Sequence, residues 1–181
     1  MKHFLPLLLF AVILVSCNNE TQTAAQKTDS TAAKETLNYP FTPKYSINWQ
    51  PGDEKNALLV LTAFKKYFDG DVAGSLDYFS DSIEFIADKF YFNGKKDSLK
   101  TLFTSMRSQI GTMSADIDTW LTAYYPDKKD TWVTVWYKEK WTDKKNKVDS
   151  GYYVDDVLVK DGKIREFDEK QRLYPEPKPK K

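Results

Sequence analysis

The sequence predicts an α+β fold in one domain, and two patterns carry that prediction. Between Asp53 and Ile110, apolar residues recur at helical spacing in three places. From Ala115 onward they alternate in long runs parted by turn residues. Of the 181 residues, 41% are hydrophobic and 15% aromatic, enough for one core.

The first helix is expected to start near Asp53, with Ala57, Val60, Leu61, Phe64 and Phe68 on its apolar side. Asp69-Gly70-Asp71 stops it. That tripeptide resembles a fragment of a calcium loop, but the other ligands are missing, so no metal site is expected. A short second helix carries Val72, Leu76 and Phe79. Ser82 to Ala87 alternates as a strand, and Phe90-Tyr91-Phe92 leads into Asn93-Gly94, which reads as a turn. Asp97 or Ser98 can cap a third helix over Leu99 to Ile110.

The last third reads as sheet. Strands are expected over Ala115–Tyr125, Trp132–Trp141, Gly151–Lys160 and Lys163–Leu173. Between them lie a Pro126–Asp130 turn, a charged tip over Thr142–Val148 and an Asp161-Gly162 hairpin turn. In the second of these strands, Val133, Val135 and Tyr137 share one face, and Trp132, Thr134 and Trp136 the other.

The ends of the chain have a different character. Residues 1–16 form a secretory leader: Lys2, then an apolar run from Phe4 to Val15, too short to span a bilayer. Leu14-Val15-Ser16-Cys17 resembles a bacterial lipoprotein signal, in which cleavage leaves the Cys as the lipidated first residue, palmitate among its acyl groups. Cys17 is the sole cysteine, so no internal disulfide is possible. A cell-envelope protein anchored to a membrane through its N-terminal lipid is expected. The absence of Asp beside Cys17 points to the outer membrane by analogy with sorting rules. Residues 17–36 read as a disordered tether and 175–181 as a disordered tail. Residues 37–52 place Leu37, Tyr39, Phe41, Tyr45, Ile47 and Trp49 among prolines, as an extended aromatic arm lying on the domain.

Losing Lys2 with the leader leaves 26 basic and 26 acidic residues, a formal charge of zero. That excludes the basic surface a nucleic-acid partner needs. The only histidine, His3, lies in the leader. Ser-His-Asp and Cys-His catalysis are therefore absent, as are His- and Cys-based metal sites. No cofactor is expected, and catalysis would rest on Asp, Glu, Tyr, Lys or Arg.

Residues 53–174 resemble the nuclear transport factor 2-like superfamily in its SnoaL-like branch. Leu61-Thr-Ala-Phe-Lys-Lys-Tyr-Phe-Asp-Gly-Asp71 is similar to its first helix and turn. Leu76-Asp-Tyr-Phe-Ser-Asp-Ser-Ile-Glu-Phe85 is similar to its second helix and first strand, and Val159-Lys-Asp-Gly-Lys-Ile-Arg-Glu-Phe167 to its closing hairpin. The resemblance implies a strongly curved antiparallel sheet wrapping the N-terminal helices into a cone with an apolar pocket at its open end. It does not fix an activity, because the superfamily holds enzymes and binding modules alike.

Two functions follow. One is a non-catalytic module binding a small apolar or sugar-like ligand, or another protein. The other is a lyase, isomerase or hydrolase using Asp or Glu with Tyr inside the cone. Alternation from Ile164, which the resemblance points into the cone, puts Glu166 and Asp168 on the same face, so Asp168 is the first catalytic candidate and Glu166 the second. Tyr67, Phe85, Asp88, Trp120, Trp136, Tyr153 and Asp155 are candidates to line the pocket. The surplus of sheet aromatics also suggests a homodimer through one sheet face.

Overall fold

The computed structural model describes residues 37–88 and 90–172. The leader, Cys17, the tether and the tail lie outside the described residues. Residues 37–41 carry no helix or strand; the rest form the domain below.

Helix α1 (Glu54–Phe68) starts where Asp53 accepts a hydrogen bond from the Lys55 amide at 2.9 Å. Ala57, Val60, Ala63, Phe64 and Phe68 are its buried stripe. It ends at Asp69, and Gly70 turns the chain at φ 90°. Arg107 closes this end: its guanidinium donates to the carbonyls of Tyr67, Phe68, Ile110 and Gly111 at 3.1–3.2 Å. A cation there also meets the negative end of the helix dipole. Helix α2 (Val72–Leu76) is capped by Asp71, which accepts from the Gly74 amide at 2.8 Å. Phe79 does not continue it but opens a strand.

Helix α3 (Lys96–Arg107) begins directly after Lys95, with no side-chain cap, so Asp97 and Ser98 lie within its first turn. Its buried residues, Leu99 and Phe103, face the core.

Seven strands make one sheet: β1 (Gln50–Pro51), β2 (Phe79–Ala87), β3 (Phe90–Lys95), β4 (Ile110–Tyr125), β5 (Asp130–Asp143), β6 (Val148–Lys160) and β7 (Lys163–Arg172). The order across it is β1-β4-β5-β6-β7-β2-β3. All neighbours are antiparallel except β2 and β7, which run parallel, so the sheet is mixed rather than purely antiparallel. Asn93-Gly94 is not the β2–β3 turn; both residues pair with Glu84 and Ile83 inside the ladder. The chain reverses earlier, where Asp88 takes φ 42°.

Ladder irregularities bend the sheet. On β4, Ile117 pairs with Tyr137 but Thr119 with Trp136, leaving Asp118 as an extra residue. On β7, Ile164 pairs with Val159 and Glu166 with Leu158, leaving Arg165 as an extra residue. The inner face carries the core: Val133, Val135, Val157, Ile164 and Ile83, with Val60 and Leu99 from the helices, all essentially out of water. The arm residue Tyr45 packs edge-on against Tyr125 and Trp132 on the outer face. Its hydroxyl donates to Asp130 at 2.7 Å and accepts from the Trp132 indole at 3.0 Å.

Candidate functional site

At one end of the inner face the core stops short of filling the space. A cavity of about 430 Å³ opens there, bounded by α1, α3 and the inner side of β5, β6, β7 and β2. Its wall is mainly aromatic and aliphatic; Phe64, Tyr67, Phe85, Phe103, Trp141 and Phe167 give its character. Phe85 stacks on Phe167 at 5.1 Å, and Tyr137 on Tyr153 at 5.5 Å, so flat rings floor much of the space.

Two carboxyl groups enter this apolar wall, Glu139 from β5 and Glu169 from β7. Each is there by strand alternation. Glu139 follows Val133, Val135 and Tyr137 on the inner face of β5. Glu169 follows Phe167 two residues earlier on β7 and pairs with Asp155 of β6. Between them, Gly151 of β6 leaves its inner side empty. A Cβ there would lie 2.8 Å from the Tyr153 ring and 3.0 Å from Gln171, so only glycine lets Tyr153 lean across.

The electrostatics are those of acids without a counter-ion. Glu139 is 8% exposed, and burial, then the neighbouring Glu169, raise its pKa to about 8. Burial, then Asp88, raise Glu169 to about 7. Asp155 is fully buried, and burial followed by Glu169 holds its pKa well above the carboxylate range. Its Oδ2 accepts from the Tyr137 hydroxyl at 2.8 Å, while Oδ1 has no partner among the described residues. Burial raises Tyr67 to about 12 and pushes Tyr137 and Tyr153 up as well. Near neutral pH both carboxyls therefore hold their protons more firmly than an ordinary glutamate does. Two carboxyls with raised proton affinities in one apolar cavity can take up and give back a proton near neutral pH. Among the described residues no group of three or more His, Cys, Asp or Glu could hold a metal ion.

The anticipated catalytic pair is not at this site. Glu166 and Asp168 lie on the outer face, where Lys170 bonds Asp168 at 2.7 Å and Asp156 at 2.9 Å. The cause is the extra residue Arg165. It shifts alternation by one, so Ile164 is followed inward by Phe167 and Glu169, not by Glu166 and Asp168. Tyr67, Phe85 and Tyr153 line the cavity. Asp155 lies behind Tyr137 rather than on the cavity surface. Asp88 stands at the rim; it is exposed, and its amide meets the Glu169 carbonyl at 3.4 Å. Trp136 is on the outer face. Trp120 shares the inner face but sits away from the cavity, its indole donating to Glu54 at 2.9 Å.

Glu139 and Glu169 were missed for different reasons. Glu139 had a signal: it continues the Val133-Val135-Tyr137 face by one more step. Glu169 had none, because the bulge that turns it inward leaves no mark in the sequence.

No protein-family model matches the chain, and no curated relative matches it in sequence. Solved structures do resemble it. AusH from Aspergillus nidulans is 13% identical with a TM-score of 0.56, covering 70% of this chain and 89% of AusH. The LEH-like epoxide hydrolase of M. tuberculosis is 12% identical with a TM-score of 0.56, covering 68% and 82%. A nuclear transport factor 2-like protein from Burkholderia pseudomallei is 12% identical with a TM-score of 0.52, covering 65% and 90%. At these identities the likeness is one of fold. The chain has the nuclear transport factor 2-like fold, with the helices packed on a curved mixed sheet.

Proposed function

We propose that the protein is an acid–base catalyst of lyase, isomerase or hydrolase type, acting on a small, largely apolar molecule in the cone. One observation carries this: two carboxyls, Glu139 and Glu169, both with proton affinities raised by burial, enter the same apolar cavity. A module that only binds apolar ligands gains nothing from two desolvated carboxyls, which destabilise the folded state. Glu169 serves as general base, and Glu139 on β5 holds the substrate against it. Tyr153, between them, can donate its hydroxyl to a substrate oxygen. The epoxide hydrolase among the structural neighbours supports an enzyme on this fold without carrying its chemistry to these residues.

The enzyme is proposed to work in the cell envelope, held to a membrane by a lipid on Cys17. The leader pattern of residues 1–17 supports this reading.

The test offers three neutral probes: a styrene epoxide for hydrolysis, a β,γ-unsaturated ketone for isomerisation and a β-hydroxy ketone for dehydration. The expected result is turnover of at least one, falling about 10²–10⁴-fold in Glu169→Gln or Glu139→Gln. Turnover of none, or turnover unchanged in both variants, returns the cavity to a binding module.

A further inference from the structure

We infer that the molecule the cavity accepts carries a positively charged amine nitrogen, seated on Glu139 and enclosed by aromatic rings. The inference rests on the reading of this cavity as the working site and names the class of its occupant.

Three features of the wall converge on a cation. The first is Glu139 itself. It is more than nine-tenths buried, it faces the cavity, and among the described residues its carboxyl has neither a hydrogen bond nor an ion pair. A carboxyl removed from water is left costly unless something completes it.

The second is the sign of everything around it. Among the described residues no Lys or Arg lines the cavity. The nearby cations are engaged elsewhere: Arg107 with four backbone carbonyls, and Lys170 with Asp156 and Asp168 on the outer face. Glu169 acts on Glu139 and Asp88, beyond β2, on Glu169, while the two glutamates in turn act on Tyr67 of α1, Tyr137 of β5, and Tyr153 and Asp155 of β6. None of them is basic. An anionic ligand would add to the repulsion, whereas a cation gives the Glu139 carboxylate a counter-ion.

The third is the rings. Tyr67, Tyr137, Trp141 and Tyr153 line the same cavity. The negative faces of aromatic rings favour an ammonium and disfavour a carboxylate or phosphate. A volume of about 430 Å³ leaves room for a hydrocarbon or ring body beside the charged head.

Proton movement follows. In the empty cavity near neutral pH, Glu139 holds a proton. A fixed positive charge beside it lowers its pKa, so the proton leaves to solvent as the cation enters. Binding should therefore release up to one proton per cation and strengthen as pH rises.

The experiment uses the full chain and three probes of equal length: octyltrimethylammonium, octanol and octanoate. Calorimetry follows binding at pH 6, 7.5 and 9, in two buffers of different ionisation enthalpy at pH 7.5. The expected result at pH 9 is the ammonium binding about tenfold or more tighter than octanol, with octanoate weakest. The ammonium should tighten between pH 6 and 9 with proton release at pH 7.5, while octanol stays flat. Glu139→Gln should cut the preference about tenfold, leaving the smaller part due to the rings and Glu169, and should reduce the proton release. Octanol binding as tightly as the ammonium at pH 9, or a preference undiminished in Glu139→Gln, overturns the inference and leaves the acid–base reading standing. If none of the three binds, the reading of the cavity as a working site fails with it.

Discussion

Glu139→Gln should gain stability relative to the wild type as pH rises. In the unfolded chain this carboxyl has its ordinary pKa of 4.5; in the fold it titrates at about 8. Below pH 4.5 it is protonated in both states and favours neither. Between 4.5 and 8 the unfolded chain gives up the proton and the folded protein keeps it. Stability then falls by about 1.4 kcal/mol per pH unit. Above pH 8 both states are ionised and the loss is complete, at about 5 kcal/mol. At pH 5 it is under about 1 kcal/mol by the same slope. A glutamine never ionises, so it escapes this loss. Its buried amide carries a cost of about 1–3 kcal/mol, but that cost does not depend on pH. The stability difference between variant and wild type should therefore move by about 4 kcal/mol in the variant's favour between pH 5 and pH 8.5. Urea unfolding followed by tryptophan fluorescence at the two pH values measures it. A difference that stays the same at both would refute the assignment of Glu139 as a desolvated, unpaired acid.

Two further outcomes test other parts of the molecule. Arg107→Met keeps much of the apolar stem but strips four backbone carbonyls of their donor. Thermal unfolding should show a loss of about 3 kcal/mol; a change under about 0.5 kcal/mol would mean that those carbonyls find other partners. Cys17→Ser should move the protein from the membrane fraction to the soluble fraction, whereas unchanged fractionation together with a mature mass lacking lipid would refute the anchor.

Much of the architecture was legible because it follows from local rules. The stripe Ala57, Val60, Phe64 and Phe68 has helical spacing, and α1 runs Glu54–Phe68. Gly70 sits at a positive φ, which its lack of a side chain permits, and the first helix ends there. The alternation in β5 separates Val133, Val135 and Tyr137 from Trp132 and Trp136, and the sheet buries the first group. Other local signals were overridden. Asn93-Gly94 has strong turn chemistry, yet pairing with β2 and the reversal at Asp88 place it inside a strand. Asp97 is a good cap by type, yet α3 begins one residue before it because β3 runs straight into the helix.

The sequence by itself determined the fold class, the single core and the inward face of β5 that Val133, Val135 and Tyr137 mark. These depend on residue type and on spacing within one element, which the chain carries locally. Only the tertiary structure decided which carboxyls meet. Glu169 reaches the cavity, and Glu166 and Asp168 do not, because the β6–β7 ladder inserts Arg165 as an extra residue. That insertion is settled by how β7 must register against both β6 and parallel β2, strands distant in sequence. The proton affinities of Glu139 and Glu169 were decided there too: desolvation and repulsion between acids exist only once separate strands bring both into one apolar cavity.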